Sequence, residues 1–274
     1  MKKILKDTAA LISIIIFGCI TVLALLAPVL TSYRFDEMVN APLLSPSAQY
    51  LLGTDEIGRD IFTRIVYAGR VSLIVGISAT MIAMAGGIVL GLISGYYGGK
   101  IDSIISRFLD GLLAFPSIIL ALAVMAVLGP DIYNAMLAIG IVSIPIFARI
   151  TRSSVLTIKS KEFVEASRSM GAEDCRIMFR VILPNCFSPI LVQISLTFAS
   201  AVLTEAALSF LGLGVQPPTP SWGSMLNASR TFLSQAPLYC IVSGAAVFST
   251  VLCLNVLGDS LRDLFDPREI KKRA

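Results

Sequence analysis

The chain has 274 residues, of which 55% are hydrophobic and only 15% are charged. Soluble domains carry about a quarter charged residues, so this composition excludes an ordinary soluble protein. The net charge is +4, and the absence of histidine removes the commonest general base and metal ligand, which counts against most catalytic functions. The five cysteines form no CxxC pair, so neither a disulfide framework nor a cysteine metal site is indicated.

Six uncharged runs predict the membrane helices. Five of them reach the ~20 residues that a helix needs to cross ~30 Å of hydrocarbon. The fourth has 17 residues, at the short end of the spanning range, where a buried soluble helix is the alternative. The runs lack the alternation of barrel strands, so we predict an all-α membrane protein of about six transmembrane helices. The runs cover residues 8–33, 71–99, 111–130, 132–148, 181–204 and 231–258.

The distribution of Lys and Arg predicts the orientation, because these residues accumulate in cytoplasmic loops. With the N-terminus inside, 17 of the 22 Lys and Arg fall on the inside and five on the outside. Both termini and a loop at 149–180 are then cytoplasmic, and 34–70 is external. The positive net charge follows from this topology, so nucleic-acid binding is not expected.

The N-terminus itself has two interpretations. Lys2, Lys3 and Lys6 resemble the basic start of a signal peptide. The apolar stretch behind them is longer than the 7–15 residues typical of a signal peptide. We therefore interpret the first run as an uncleaved transmembrane helix.

In the second run, small residues recur every four positions: Ala79, Ala83, Gly87, Gly91 and Gly95. Such a stripe lets two helix backbones approach closely in lipid. It has two interpretations, which are packing within the chain and a seam that faces the pore or a partner subunit. Proline also lies within the third and fourth runs, at Pro116 and Pro145, where kinks are expected.

Glu205 lies near the outer end of the fifth run. An ionisable residue at membrane depth is a candidate functional site, here in the pathway or an outer gate. The alternative is an interfacial carboxylate that reaches water or caps a neighbouring helix. No run carries paired internal charges, so a proton- or sodium-coupled carrier is poorly supported.

The segment 161–184 predicts a helical hairpin outside the bilayer. Its first helix covers 161–170, Gly171 interrupts it, and a second helical stretch at 172–183 leads into Pro184. A rigid hairpin of this kind is an object that another protein can push or pull. The alternative is an amphipathic linker that lies on the headgroups.

Within this hairpin, Glu165-Ala166-Ser167, three further residues, Gly171 and then Val181-Ile182-Leu183-Pro184 resemble the EAA loop of ABC importer permeases. The spacing fits fully. Ser167 replaces the third small residue of the family pattern. Val181 stands where permeases of the peptide class often have histidine, which weakens assignment to the subclass more than to the family.

Three other segments are similar to the second permease type of dipeptide, oligopeptide and nickel importers. They extend the resemblance from about residue 50 to the tail. They are Leu52–Asp60 (LGTDEIGRD), Phe210–Pro218 (FLGLGVQPP) with Ser221-Trp222-Gly223, and Leu261-Arg262-Asp263 with Asp266-Pro267-Arg268.

The resemblance implies a type I ABC importer permease fold in the cytoplasmic (inner) membrane of a prokaryote. Expected partners are a second homologous permease, two ATPase subunits, an extracytoplasmic substrate-binding protein and membrane lipid. ATP and Mg would be bound by the ATPases, and no cofactor or metal by this chain. The implied regions are an N-terminal tip with helix 1 at 1–33, an external segment at 34–70, a permease core at 71–258 containing a coupling loop at 149–184, and a tail at 259–274.

The resemblance also assigns the ATPase-coupling residues, which are Glu165, Ala166, Ser167, Gly171, Leu183 and Pro184. Small side chains after Glu165 would allow close docking of the loop in a groove on an ATPase. The Glu165 carboxylate would form a charge-assisted hydrogen bond with a basic group there. Gly171 would adopt backbone angles closed to other residues and set the turn.

The expected cargo is a peptide, with nickel or a chelated metal as the alternative. The chain has no GxxxxGK[ST] motif, so we do not expect it to be an enzyme. An autonomous carrier or channel would require internal charge pairs or repeats, and a membrane enzyme would require a convergent polar site; the sequence shows neither. Asp55, Glu56 and Asp60 are interpreted as part of a structural loop, with Arg59 and Arg64 as local partners.

Overall fold

A computed structural model describes residues 7–265, and these residues form helices and loops with no β-strand. Lys2, Lys3, Lys6, the Asp266-Pro267-Arg268 motif and the rest of the tail lie outside the described residues. Besides α-helices, the described residues form a π-helix at Ile177–Ile182 and a 3₁₀ turn at Arg230–Phe232. The α-helices are α1 (Thr8–Leu25), α2 (Ala27–Leu30), α3 (Ile61–Tyr97), α4 (Gly99–Leu113), α5 (Ser117–Leu128), α6 (Ile132–Ile158), α7 (Glu162–Ser169), α8 (Asp174–Arg176), α9 (Leu183–Asn185), α10 (Phe187–Phe210), α11 (Trp222–Ser229) and α12 (Pro237–Phe265).

Within residues 7–265, five helices are long and apolar enough to cross a membrane: α1, α3, α6, α10 and α12. The third uncharged run does not form one straight helix. The chain bends by 91° between α4 and α5, next to Pro116, and α4 with α5 makes a sixth span only if the bent pair is counted as one. Proline cannot continue a helical hydrogen-bond ladder, so the bend lies where the sequence places Pro116.

Two helices are longer than the uncharged runs that predicted them. Helix α3 begins at Ile61 rather than at residue 71, because the Asp60 side chain accepts a hydrogen bond from the Thr63 backbone N–H and caps the helix. Helix α6 continues ten residues past Ala148, to Ile158. Charged residues end an uncharged run, but they do not end a helix that projects from the lipid.

The small-residue stripe of α3 packs against α6. A Cβ atom added at Gly87 would lie 2.3 Å from Cβ of Phe147, and one added at Gly91 would lie 2.6 Å from the carbonyl oxygen of Ala148. Gly95 lies against Val155 in the same way. Because later residues of α3 contact later residues of α6, the two helices run parallel. The stripe therefore serves packing within the chain.

Helices α3 and α10 run antiparallel, and α10 also packs against α12. Phe198 and Val202 lie against Gly76 of α3, and the Ser195 hydroxyl donates to the Leu254 carbonyl of α12 at 2.8 Å. Asp7 at the start of α1 accepts a hydrogen bond from Ser260 of α12 at 3.2 Å. The two ends of the described chain therefore lie at one end of the bundle.

The segment before α3 is held by buried ion pairs. The guanidinium of Arg59 pairs with Asp55 at 2.6 Å and with Glu56 at 3.1 Å, and Arg64 lies 3.3 Å from Asp55. Asp60 is the helix cap. The interpretation of this cluster as a structural loop with Arg59 and Arg64 as local partners is confirmed.

We expect Gly87→Ala to unfold at a lower temperature than the native protein, because its Cβ atom would overlap Phe147. Overpacking of this kind costs about 1–3 kcal/mol. Thermal unfolding of the detergent-solubilised protein measures the effect. Gly111→Ala is the matched control, because no atom lies within 4 Å of a Cβ at that position. Equal unfolding temperatures for the two variants would contradict the close contact of α3 with α6.

Candidate coupling site

The EAA motif forms α7, a short helix that is attached to the bundle by one side. Val164 is fully buried among side chains of α3, α6 and the π-helix. Ala166 is exposed on the opposite side, where Phe163 and Met170 also leave large apolar side chains uncovered, and Glu165 is exposed on the flank of the helix. Helix α7 therefore has an inner face that anchors it and an outer face that the described part of the chain leaves uncovered.

The turn after α7 is a Schellman motif. The Gly171 N–H donates to the Arg168 carbonyl at 3.0 Å, and the Ala172 N–H donates to the Ser167 carbonyl at 3.2 Å. Gly171 has φ +78°, in the left-handed region that side chains with a Cβ rarely adopt. The role of Gly171 in setting the turn was thus predictable from the sequence. The Ser167 hydroxyl donates to the Phe163 carbonyl at 2.8 Å, within α7. The serine that replaces the third small residue of the family pattern therefore leaves the turn intact.

The side chain of Tyr96, at the end of α3, connects the two arms of the hairpin. Its hydroxyl donates to Asp174 of α8 at 2.6 Å and accepts from Arg168 of α7 at 3.3 Å. The Arg168 guanidinium also lies over the Tyr96 ring, 5.7 Å from its centroid. The hydrogen bond to Tyr96 raises the pKa of Arg168, which stays charged. Sequence reasoning missed this contact, because Tyr96 lies in an apolar run far from the motif.

The returning arm of the hairpin enters the core through the π-helix. Ile177, Met178 and Ile182 are buried in the cluster that holds Val164. Leu183 packs partly against this cluster, whereas Pro184 is exposed at the start of α9. Buried side chains therefore connect the two halves of the motif. Glu165 itself projects away from this buried cluster.

Glu205 occupies a second buried site at the other end of α3. Its carboxylate accepts hydrogen bonds from Ser72 of α3 at 2.8 Å and from Ser209 of its own helix at 2.7 Å. The side chain is fully buried, so the interpretation that it reaches water is wrong. A role in the pathway or an outer gate remains a prediction.

Helix α11 folds back onto this carboxylate site. The Trp222 N–H approaches the Ser72 hydroxyl at 3.4 Å, and its indole N–H donates to the Ile65 carbonyl at 3.1 Å. A Cβ atom at Gly223 would lie 2.2 Å from the Ala206 carbonyl oxygen, so only glycine fits there. The Ser221-Trp222-Gly223 motif thereby seats α11 against α3 and α10.

A family model described as "Binding-protein-dependent transport system inner membrane component" matches residues 87–271. The chain belongs to this family. The dipeptide transport system permease protein DppC of Alkalihalophilus pseudofirmus is 47% identical over 97% of this chain and 88% of its own length. The glutathione transport system permease protein GsiD of Pectobacterium atrosepticum is 48% identical over 81% of this chain and 74% of its own length.

The chain is therefore an ABC permease of the dipeptide and oligopeptide class, as the EAA loop indicated for the family and the three other segments for the class. A solved structure described as inward-facing conformations of the MetNI methionine ABC transporter has a TM-score of 0.59 and 19% identity, over 74% of this chain and 97% of that one. This likeness, together with the helical bundle, confirms the all-α type I permease fold of a multi-pass membrane protein. The matched relatives are named as permease proteins, not as enzymes.

In this permease, Tyr96→Phe keeps the aromatic ring and removes the hydroxyl that joins Arg168 to Asp174. We expect amide hydrogen exchange over residues 162–176 to become several-fold faster, because the hairpin opens more often. Tyr97→Phe is the control, since Tyr97 is the adjacent ring and is half exposed. Identical exchange in both variants would exclude Tyr96 as an anchor of the hairpin.

Glu205→Leu leaves the buried hydroxyls of Ser72 and Ser209 without their acceptor. Each buried polar group that loses its partner costs about 1–3 kcal/mol, so we expect a clearly lower unfolding temperature. Thr204→Val is the control, because the Thr204 hydroxyl bonds only along its own helix, to Ser200. The buried site would lose its structural role if Glu205→Leu and Thr204→Val unfolded alike.

Proposed function

We propose that this chain is a permease subunit of an ATP-driven importer, that it forms half of the translocation pathway for peptides, and that α7 couples it to an ATPase. The observation that carries the proposal is the two-sided geometry of α7. Its inner face is anchored through Val164, Tyr96 and Arg168, while its outer face is exposed. An element that is rigidly attached on one side and open on the other suits the transmission of movement.

The outer face of α7 has the chemistry of a docking surface. Phe163, Ala166 and Met170 follow one another at helical spacing, with Met170 80% exposed. The exposed carboxylates of Glu162 and Glu165 lie on one flank of these side chains. Apolar side chains of this size, flanked by negative charge, favour a groove with a basic group on the partner.

Peptide cargo is supported by the relatives, which are named for dipeptides, di- and tripeptides and glutathione. The cysteinyl and glutamyl units of glutathione are joined by amide bonds, so these cargoes share one chemical class. The names of these relatives favour peptides over the alternative cargo, nickel or a chelated metal.

The proposed orientation places α7 and both chain termini in the cytoplasm. The distribution of Lys and Arg supports it, and Asp7, Ser260 and the α6 to α10 hairpin lie at one end of the bundle. Two ATPases would then dock at this end and bind ATP and Mg. A binding protein would deliver peptide at the end where α11 folds back, and a second homologous permease would complete the pathway.

Affinity purification of this chain from its native membrane in mild detergent, followed by mass spectrometry, tests the assembly. We expect a second six-helix permease and two ATPase polypeptides, or one ATPase present twice. Recovery of the chain alone from a preparation that transports solute without ATP would overturn the proposal and favour an autonomous carrier.

Glu165→Lys is expected to leave the protein inserted but to abolish substrate-stimulated ATP hydrolysis, because it places a cation opposite the basic group of the ATPase. ATPase activity of the reconstituted complex with binding protein and peptide measures this effect. Glu173→Lys makes the same charge change at an exposed position beyond the turn, and should retain stimulation. Unchanged stimulation in the Glu165 variant would rule out its coupling role.

Gly171→Val should reduce recovery of the ATPase with the permease, because valine does not tolerate φ +78° and the hairpin must rearrange. Quantitative co-purification measures the loss. Gly18→Val in α1 is the control, since no atom lies within 4 Å of a Cβ there. Normal ATPase recovery with Gly171→Val would contradict the proposed docking.

A further inference from the structure

Helix α4 turns its acidic side chains toward the protein. Asp102 accepts two hydrogen bonds from the Arg152 guanidinium of α6, both at 2.6 Å, and a third from the Ser94 hydroxyl of α3. About two helical turns further along, Asp110 pairs with Arg149 of α6 at 2.6 Å. The polar face of this amphipathic helix is therefore occupied within the chain.

The apolar face of α4 is uncovered. Ile101, Ile104 and Phe108 are 44%, 70% and 63% exposed. Their spacing places them in one stripe along the helix. A contiguous stripe of large apolar side chains marks an interaction surface, whereas single exposed ones do not.

A third face of α4 is basic. Lys100, Ser103 and Arg107 are exposed and follow the same helical spacing. At 3.6 residues per turn, this face lies roughly 100° around the helix from the apolar stripe. Helix α4 thus has three sectors, which face the protein, an apolar medium and a polar medium.

The ion pairs also fix the direction of α4. Asp102 and Asp110 are eight residues apart, about 12 Å along α4, but their partners Arg152 and Arg149 are three residues apart, about 4.5 Å along α6. Helices that run side by side bring equal lengths together, so this difference favours a steep crossing of α4 over the spanning helix α6. The 91° bend between α4 and α5 agrees with this direction.

We propose that α4 lies in the headgroup layer of the membrane at the α7 end of the bundle. Ile101, Ile104 and Phe108 enter the acyl chains, and Lys100 and Arg107 face the phosphates of anionic phospholipids. This is the arrangement of an interfacial amphipathic helix, with its charged flank matched to negative lipid. The occupant of the apolar stripe is lipid, since the basic flank beside it complements an anionic headgroup surface.

Photo-crosslinking in native membranes tests this placement. The residue p-benzoylphenylalanine is introduced at Ile104 or at Phe108, with Leu109, which is buried, as the inward-facing control. Ile15 of α1, which is 56% exposed, is the lipid-facing control. After irradiation, mass spectrometry identifies what is bound to the chain, and complex formation is verified by recovery of the ATPase.

Phospholipid adducts at positions 104 and 108, but not at 109, are the expected result. A cross-link from 104 or 108 to the second permease or to an ATPase would overturn the proposal and identify α4 as a protein interface. Absence of any adduct at both positions, with lipid adducts at Ile15, would show a water-exposed face and overturn it equally. None of these outcomes depends on the cargo or on the coupling role of α7.

Discussion

The close parallel contact of α3 with α6 is the constraint on which the rest of this permease depends. It exists because α3 presents glycine and alanine every fourth residue, so that the backbone of α6 lies directly against it. Two parallel helices require the chain to return across the bundle between them, and the bent pair α4–α5 makes this return. The bent pair α4–α5 is therefore a consequence of the topology as well as of proline.

The same contact positions the hairpin formed by α7 and the π-helix. Both helices end on one side of the bundle, where Lys159 of α6 donates to the Gly95 carbonyl of α3 at 3.0 Å. Tyr96, the next residue, then holds both arms of the hairpin. Force applied to α7 thus reaches a pair of packed helices through short, partly buried contacts, and does not have to pass through a flexible linker.

Much of this architecture could be predicted from the sequence, because uncharged length and the EAA spacing depend on local residues. The sequence did not reveal where α3 begins and where α6 ends, since both helices continue past the charges that bound an apolar run. It also left open whether the small-residue stripe faces α6 or a partner, and it did not connect Tyr96 to Asp174, 78 positions away. Glu205 was recognisable as unusual, but its serine partners come from two helices that only the fold brings together.

The length of α3 has a mechanical consequence. Its 37 residues make a rod of about 55 Å, nearly twice the thickness of a bilayer core. Helix α3 ends beside the hairpin of α7. Its first half lies against α11 and the buried carboxylate of Glu205. A tilt of about 5° about one end of such a rod displaces its other end by about 5 Å. A small tilt of α3 at the hairpin is therefore amplified into a displacement of atomic dimensions at its other end, beside α11.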